Sequence, residues 1–74
     1  MIPRQRFIAR IRSLGYAYKS TQKRTYLYRK VGGTHCLSVP IRDRLSETYV
    51  RSALAQAGCS ESDIRAFLDD AASQ

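Results

Sequence analysis

No apolar run in this 74-residue chain approaches the roughly 20 residues of a membrane span, and Met1-Ile2-Pro3-Arg4 leads into a charged stretch rather than a signal sequence. A cytoplasmic location is the expectation. Histidine occurs once, as His35, and cysteine twice, as Cys36 and Cys59. Those three residues lack the short spacings of a metal site and cannot complete a Cys₂His₂ set. No metal or other cofactor is therefore expected, and the thiols read as reduced and partly buried. Acidic residues are scarce at first: Met1 to Arg44 hold eleven Lys or Arg against one acid, Asp43. From Leu45 onward two basic residues face five acidic ones, within a formal net charge of +7. A basic body with an acidic last helix suggests a polyanion-binding face on one side and a different contact surface on the other. Nucleic acid is the leading polyanion, because no lipid-inserting segment is present.

Repeats and low-complexity segments are also missing, and only Ala71 to Gln74 reads as a frayed tail. The length sets a single domain, residues 1–74, near the lower limit for independent folding. What is there is a strand-rich middle. Lys19 to Pro40 reads as two strands closed by Gly32-Gly33, since Thr25 to Val31 and His35 to Val39 are extended patterns around a turn that admits positive φ. With those glycines as the central turn residues, Val31 faces Thr34, Arg29 faces Cys36, Tyr28 faces Leu37 and Tyr26 faces Val39. Tyr26, Tyr28, Leu37 and Val39 then form the core face, and Thr25, Leu27, Arg29, Cys36 and Ser38 the other. Tyr16 to Ser20 supplies a strand before them, joined by the polar turn Thr21-Gln22-Lys23-Arg24. Pro40 cannot donate to a ladder and ends the third strand.

Helices flank this meander. Pro3 suits a first helical position, Phe7, Ile8, Ile11 and Leu14 make one apolar stripe, and Gly15 ends the helix. Arg4, Arg6, Arg10 and Arg12 read as its solvated charge row. The segment from Ile41 to Leu45 leads to Ser46 as an N-cap, followed by a stripe of Val50, Ala53, Leu54 and Ala57 that stops at Gly58. Ser60 and Asp63 mark the start of a further short helix with Ile64, Phe67, Leu68 and Ala71 as its stripe. The expected class is α+β, ordered α-β-β-β-α with a short C-terminal helix added. A three-stranded antiparallel sheet this small is covered on one face only.

From Ser38, the sequence SVPIRDRLSETYVRSALAQAGCSESDIRAFL resembles the C-terminal half of HicA-like toxins. The matching features are Val39-Pro40 at a strand end, the helix from Ser46 to Leu54, the Ala57-Gly58 stop, and the segment from Ser60 to Leu68. The opening helix followed by Leu14-Gly15-Tyr16 is similar to the family's entry into its first strand. The resemblance implies a fold like double-stranded-RNA-binding domains, cleavage of messenger RNA without metal, and a HicB-type antitoxin as partner. It also implies a catalytic Gly-Ser-His at the entry to the second strand. Lys23-Arg24-Thr25 occupies that place here, and Ile41, Arg42 and Asp43 fill the loop where a second His is common.

Metal-free RNA cleavage needs a group to take the 2′-hydroxyl proton and another to protonate the leaving oxygen. Thr25 cannot act as that base. His35 is the only imidazole and the sole catalytic candidate, yet it lies beside Lys30, about 17 Å along the strand from Thr25. Lys23 and Arg24 in the turn are the first candidates for phosphate contacts, with Arg42 and Arg44 next and Lys19, Arg29 and Lys30 around the strands. Tyr26 and Tyr28 are assigned to packing, whereas Tyr18 and Tyr49 are open between packing and stacking on bases. Three functions fit these residues: a HicA-like ribonuclease toxin with diverged groups, a nucleic-acid-binding module on the same scaffold, or a protein-interaction domain of a phage or defence system.

Overall fold

Alternating side chains set the sheet. The computed structural model describes residues 1–72. It opens with a two-residue strand β1 (Ile2–Pro3) and helix α1 (Arg4–Ser13), followed by strands β2 (Tyr16–Gln22), β3 (Thr25–Lys30) and β4 (Cys36–Pro40). A second short strand β5 (Arg44–Leu45) and helices α2 (Glu47–Gln56) and α3 (Glu61–Ala72) complete it. The antiparallel sheet has the order β2-β3-β4, and the expected register holds, with Tyr26 opposite Val39, Tyr28 opposite Leu37 and Arg29 opposite Cys36. The turn does not follow the expected form. Gly33 N–H donates to the Lys30 carbonyl at 3.1 Å, and Gly32 takes φ +79°, so the tight turn is Lys30–Gly33. Val31 turns away from Thr34 because its own N–H donates to the Gly15 carbonyl at 2.8 Å. Lys30 N–H donating to His35 O at 2.9 Å restores the ladder in the same register.

Tyr16, Tyr28, Leu37 and Val39 are buried beneath the helices, while Ala17, Arg29 and Ser38 are exposed on the opposite face. The helical layer supplies Phe7, Ile11, Val50 and Leu54, all at 0% exposure. Burying each of these large side chains contributes about 2 kcal/mol. Gly15 ends α1 at φ +98°, where a side chain would be strained. Ser46 Oγ accepts from Tyr49 N–H at 3.1 Å, and Ser60 Oγ from Asp63 N–H at 3.2 Å, so both expected caps are made.

Four further expectations are corrected. β2 runs two residues past Ser20 to Gln22, so the polar turn narrows to Lys23-Arg24. Pro3 precedes α1 with ψ 132° instead of opening it, because residues 2–3 pair with Leu45 and Arg44 in a second two-stranded sheet. The last helix is not short: α3 has 12 residues against 10 in α2. Ala71 is part of the core at 2% exposure rather than a frayed end, since it extends the stripe of Ile64 and Leu68 by one turn. Ser73 and Gln74 lie outside the described residues.

Candidate nucleic-acid interface

Backbone pairing gathers the basic residues at one end of the sheet. Lys23 and Arg24 are the two residues between paired Gln22 and Thr25. Ile41 N–H donates to the Arg24 carbonyl at 3.0 Å, which ties the chain leaving β4 to this turn. Lys23, Arg24, Ile41 and Arg42 consequently line one cleft. The β1–β5 pairing carries the same loop onto the start of α1, with Pro3 opposite Arg44 and Arg4 N–H donating to Asp43 O at 2.9 Å. Arg4 and Arg44 share a second cleft there. Lys23, Arg24, Arg42 and Arg44 are exposed, and Asp43 is the acid interspersed among them.

Arg4 is the addition that sequence reasoning missed. Its guanidinium lies 5.4 Å from the Tyr26 ring centroid, a cation–π contact at the sheet end of the helix. The expected solvated row on α1 is in fact divided. Arg6 pairs with Asp70 of α3 at 2.9 Å, Arg10 Nε is buried without a hydrogen-bond partner among the described residues, and Arg12 is exposed.

The remaining expected cations do not join this end. Lys19 is exposed on β2, where the register shifts between Tyr18 and Ser20. Arg29 Nε donates to the Gly33 carbonyl at 3.1 Å, and Lys30 Nζ donates to the Leu14 carbonyl while lying 5.4 Å from the Tyr16 ring centroid. Lys30 therefore closes the carbonyl end of α1, where a cation is favoured, instead of projecting as a phosphate contact. Lys19, Arg29 and Lys30 flank a separate open groove of about 680 Å³ with Tyr18, Gly32 and Gly33.

His35 belongs to this second end. Thr25 pairs with Pro40, so His35 lies on the order of 17 Å away along the hairpin, as expected. The residue is exposed, and Nδ1 is 2.5 Å from the Tyr16 hydroxyl in a part-buried contact, with the two rings edge to face at 5.8 Å. Burial pushes the Tyr16 phenol up from its ordinary range, and the neighbouring Cys36 and Cys59 add to the shift. The phenol thus keeps its proton at neutral pH. The contact fits either direction: the phenol O–H donates to Nδ1, or Nδ1–H donates to the phenol oxygen, according to the imidazole tautomer.

Both cysteines are free and half-buried, and among the described residues no three His, Cys, Asp or Glu side chains gather as a metal site. Tyr49 is resolved as a packing residue, edge to face with Phe7 at 5.7 Å, its hydroxyl donating to the Ser38 carbonyl. Tyr18 is the opposite case, 56% exposed. No helix among the described residues is long and apolar enough to cross a membrane. Comparisons with protein-family models, curated proteins and solved structures found no match.

Proposed function

We propose that this chain is a HicA-like, RNA-directed domain of the cytoplasm that binds RNA at its basic end, with a HicB-type antitoxin as its protein partner. The observation that carries this is the convergence of Lys23, Arg24, Arg42 and Arg44 with Arg4 at one end of the sheet. Phosphates held there release counterions, a source of affinity that is indifferent to sequence. The α+β order with the sheet covered on one face agrees with the scaffold the resemblance implies.

Binding is favoured over cleavage by the place of His35, on the order of 17 Å along the hairpin from Thr25 and away from the basic end. When the Tyr16 phenol donates to Nδ1, Nε2 carries the hydrogen, whereas a general base needs a lone pair at that atom. Cleavage belongs to the other tautomer, in which Nδ1–H donates to the phenol oxygen and Nε2 is free to accept the 2′-hydroxyl proton. The Tyr16–His35 contact itself is what keeps that second function in view.

Incubating the purified chain and its His35→Ala variant with a labelled messenger-like RNA, without metal, separates the two. Retarded RNA of unchanged length is the expected result for both proteins. Shortened RNA that becomes intact with His35→Ala establishes the ribonuclease instead, and such a chain arrests growth when expressed without its antitoxin. RNA neither shifted nor cut contradicts both and favours a protein-interaction domain.

A further inference from the structure

On the hairpin that carries the basic turn, a tyrosine next to Lys19 stands largely exposed on the sheet. Tyr18 is directly opposite Tyr28 across β2 and β3, on the face that buries Tyr28, yet it remains 56% exposed. Tyr18 lies on β2, an edge strand of the sheet, while Arg4 at the start of α1 sits over the Tyr26 ring on the central strand β3. The exposed ring is nevertheless fixed in place. It lies edge to face with Tyr28 at 5.9 Å and with Tyr26 at 6.3 Å, and its hydroxyl is hydrogen-bonded to Thr21 Oγ1 at 2.6 Å.

A ring held on two sides and at its hydroxyl loses little freedom when something stacks on it. Such a surface suits a base, because every base has a π-face, provided that face is not already stacked in a duplex. The same hairpin continues from Tyr18 through Thr21 into Lys23 and Arg24, so aromatic surface and phosphate-binding charge follow one another along one path. Duplex binders instead spread phosphate contacts along a helix face of about 16 base pairs. Lys23, Arg24, Arg42, Arg44 and Arg4 sit together at one end, on the same hairpin and helix start that present Tyr18 and Tyr26.

We infer that Tyr18, backed by Tyr26 and Tyr28, is a stacking platform for unpaired bases, and that the ligand of the basic end is single-stranded RNA rather than duplex. This rests on the RNA-binding function proposed above. It is tested by the full chain's affinity for a short labelled oligouridylate strand and for a duplex of the same length made with oligoadenylate. Wild type is expected to bind the strand more tightly. Tyr18→Ala weakens strand binding about tenfold and leaves duplex binding within about twofold, whereas Tyr18→Phe keeps the stacking surface and stays within about threefold of wild type. Lys23→Ala with Arg24→Ala weakens both ligands.

Strand affinity unchanged in Tyr18→Ala but lowered by the lysine and arginine substitutions overturns the platform and leaves the basic end in place. A preference for duplex also overturns it. Absence of binding to either RNA by wild type overturns the RNA function and the platform with it.

Discussion

Tyr49 shows how a single hydroxyl can link packing to pH. Its ring lies against Phe7, its hydroxyl donates to the Ser38 carbonyl, and burial pushes its pKa from 10.0 up to about 12. A group whose pKa is higher folded than unfolded stabilises the fold in its protonated form. That contribution is complete below the unfolded value of 10.0 and is lost as pH rises toward about 12. Tyr49→Phe has no such proton to lose, but it leaves a carbonyl without its donor, at a cost of about 1 kcal/mol at neutral pH. Urea unfolding of both proteins should therefore show a gap at pH 7 that closes between about pH 10 and 12. A gap that stays constant across this range contradicts the assignment. His35 makes the same kind of contact, with the Tyr16 hydroxyl, a pairing not evident from residues 19 positions apart.

The edges and turns of the sheet explain which elements were legible in the sequence. Strands β3 and β4 follow from alternation, and Ser46, Ser60, Gly15 and Gly58 punctuate the helices as their chemistry demands. The pair of β1 and β5 was hidden because two residues carry no periodicity, and only tertiary pairing of buried Ile2 with Leu45 reveals them. The Lys30–Gly33 turn was likewise decided from outside, by the Gly15 carbonyl. The edge of β4 is closed by its neighbours: hydrogen-bonded pairing of Lys30 with His35 turns the Ser38 carbonyl outward, where Tyr49 meets it, and Pro40 has no N–H to offer. At the other hairpin, Lys23 has φ +46°, a left-handed conformation without glycine. That conformation costs a residue with a side chain about 1–2 kcal/mol, partly offset because glycine loses more backbone entropy on folding. Lys23→Gly should thus stabilise the chain by about 0.5–1 kcal/mol and raise its melting temperature by roughly 2–8 °C. A lowered melting temperature would show that the lysine side chain holds the turn by a contact worth more than the strain.

Across the whole molecule, the charge imbalance was plain in the sequence, but its focus was not. By sequence, Lys19, Arg29 and Lys30 rank behind Lys23 and Arg24 as phosphate contacts; the fold sets them around a separate groove and uses Lys30 to close a helix. Arg4 belongs by sequence to a solvated row, and the pairing of residues 2–3 with 44–45 brings it beside Arg44. The basic end is thus made by two pieces of tertiary structure, the β1–β5 pair and the bond from Ile41 to Arg24. The most direct test is the affinity for a single-stranded RNA measured against salt, for wild type, for a variant carrying Lys23→Ala, Arg24→Ala and Arg42→Ala, and for Arg65→Ala, exposed on α3. Each lost phosphate contact should reduce the slope of log affinity against log salt by about 0.7, so the triple variant should fall by about 2 while Arg65→Ala keeps the wild-type slope. Equal slopes in wild type and the triple variant would contradict the basic end as the RNA-binding surface.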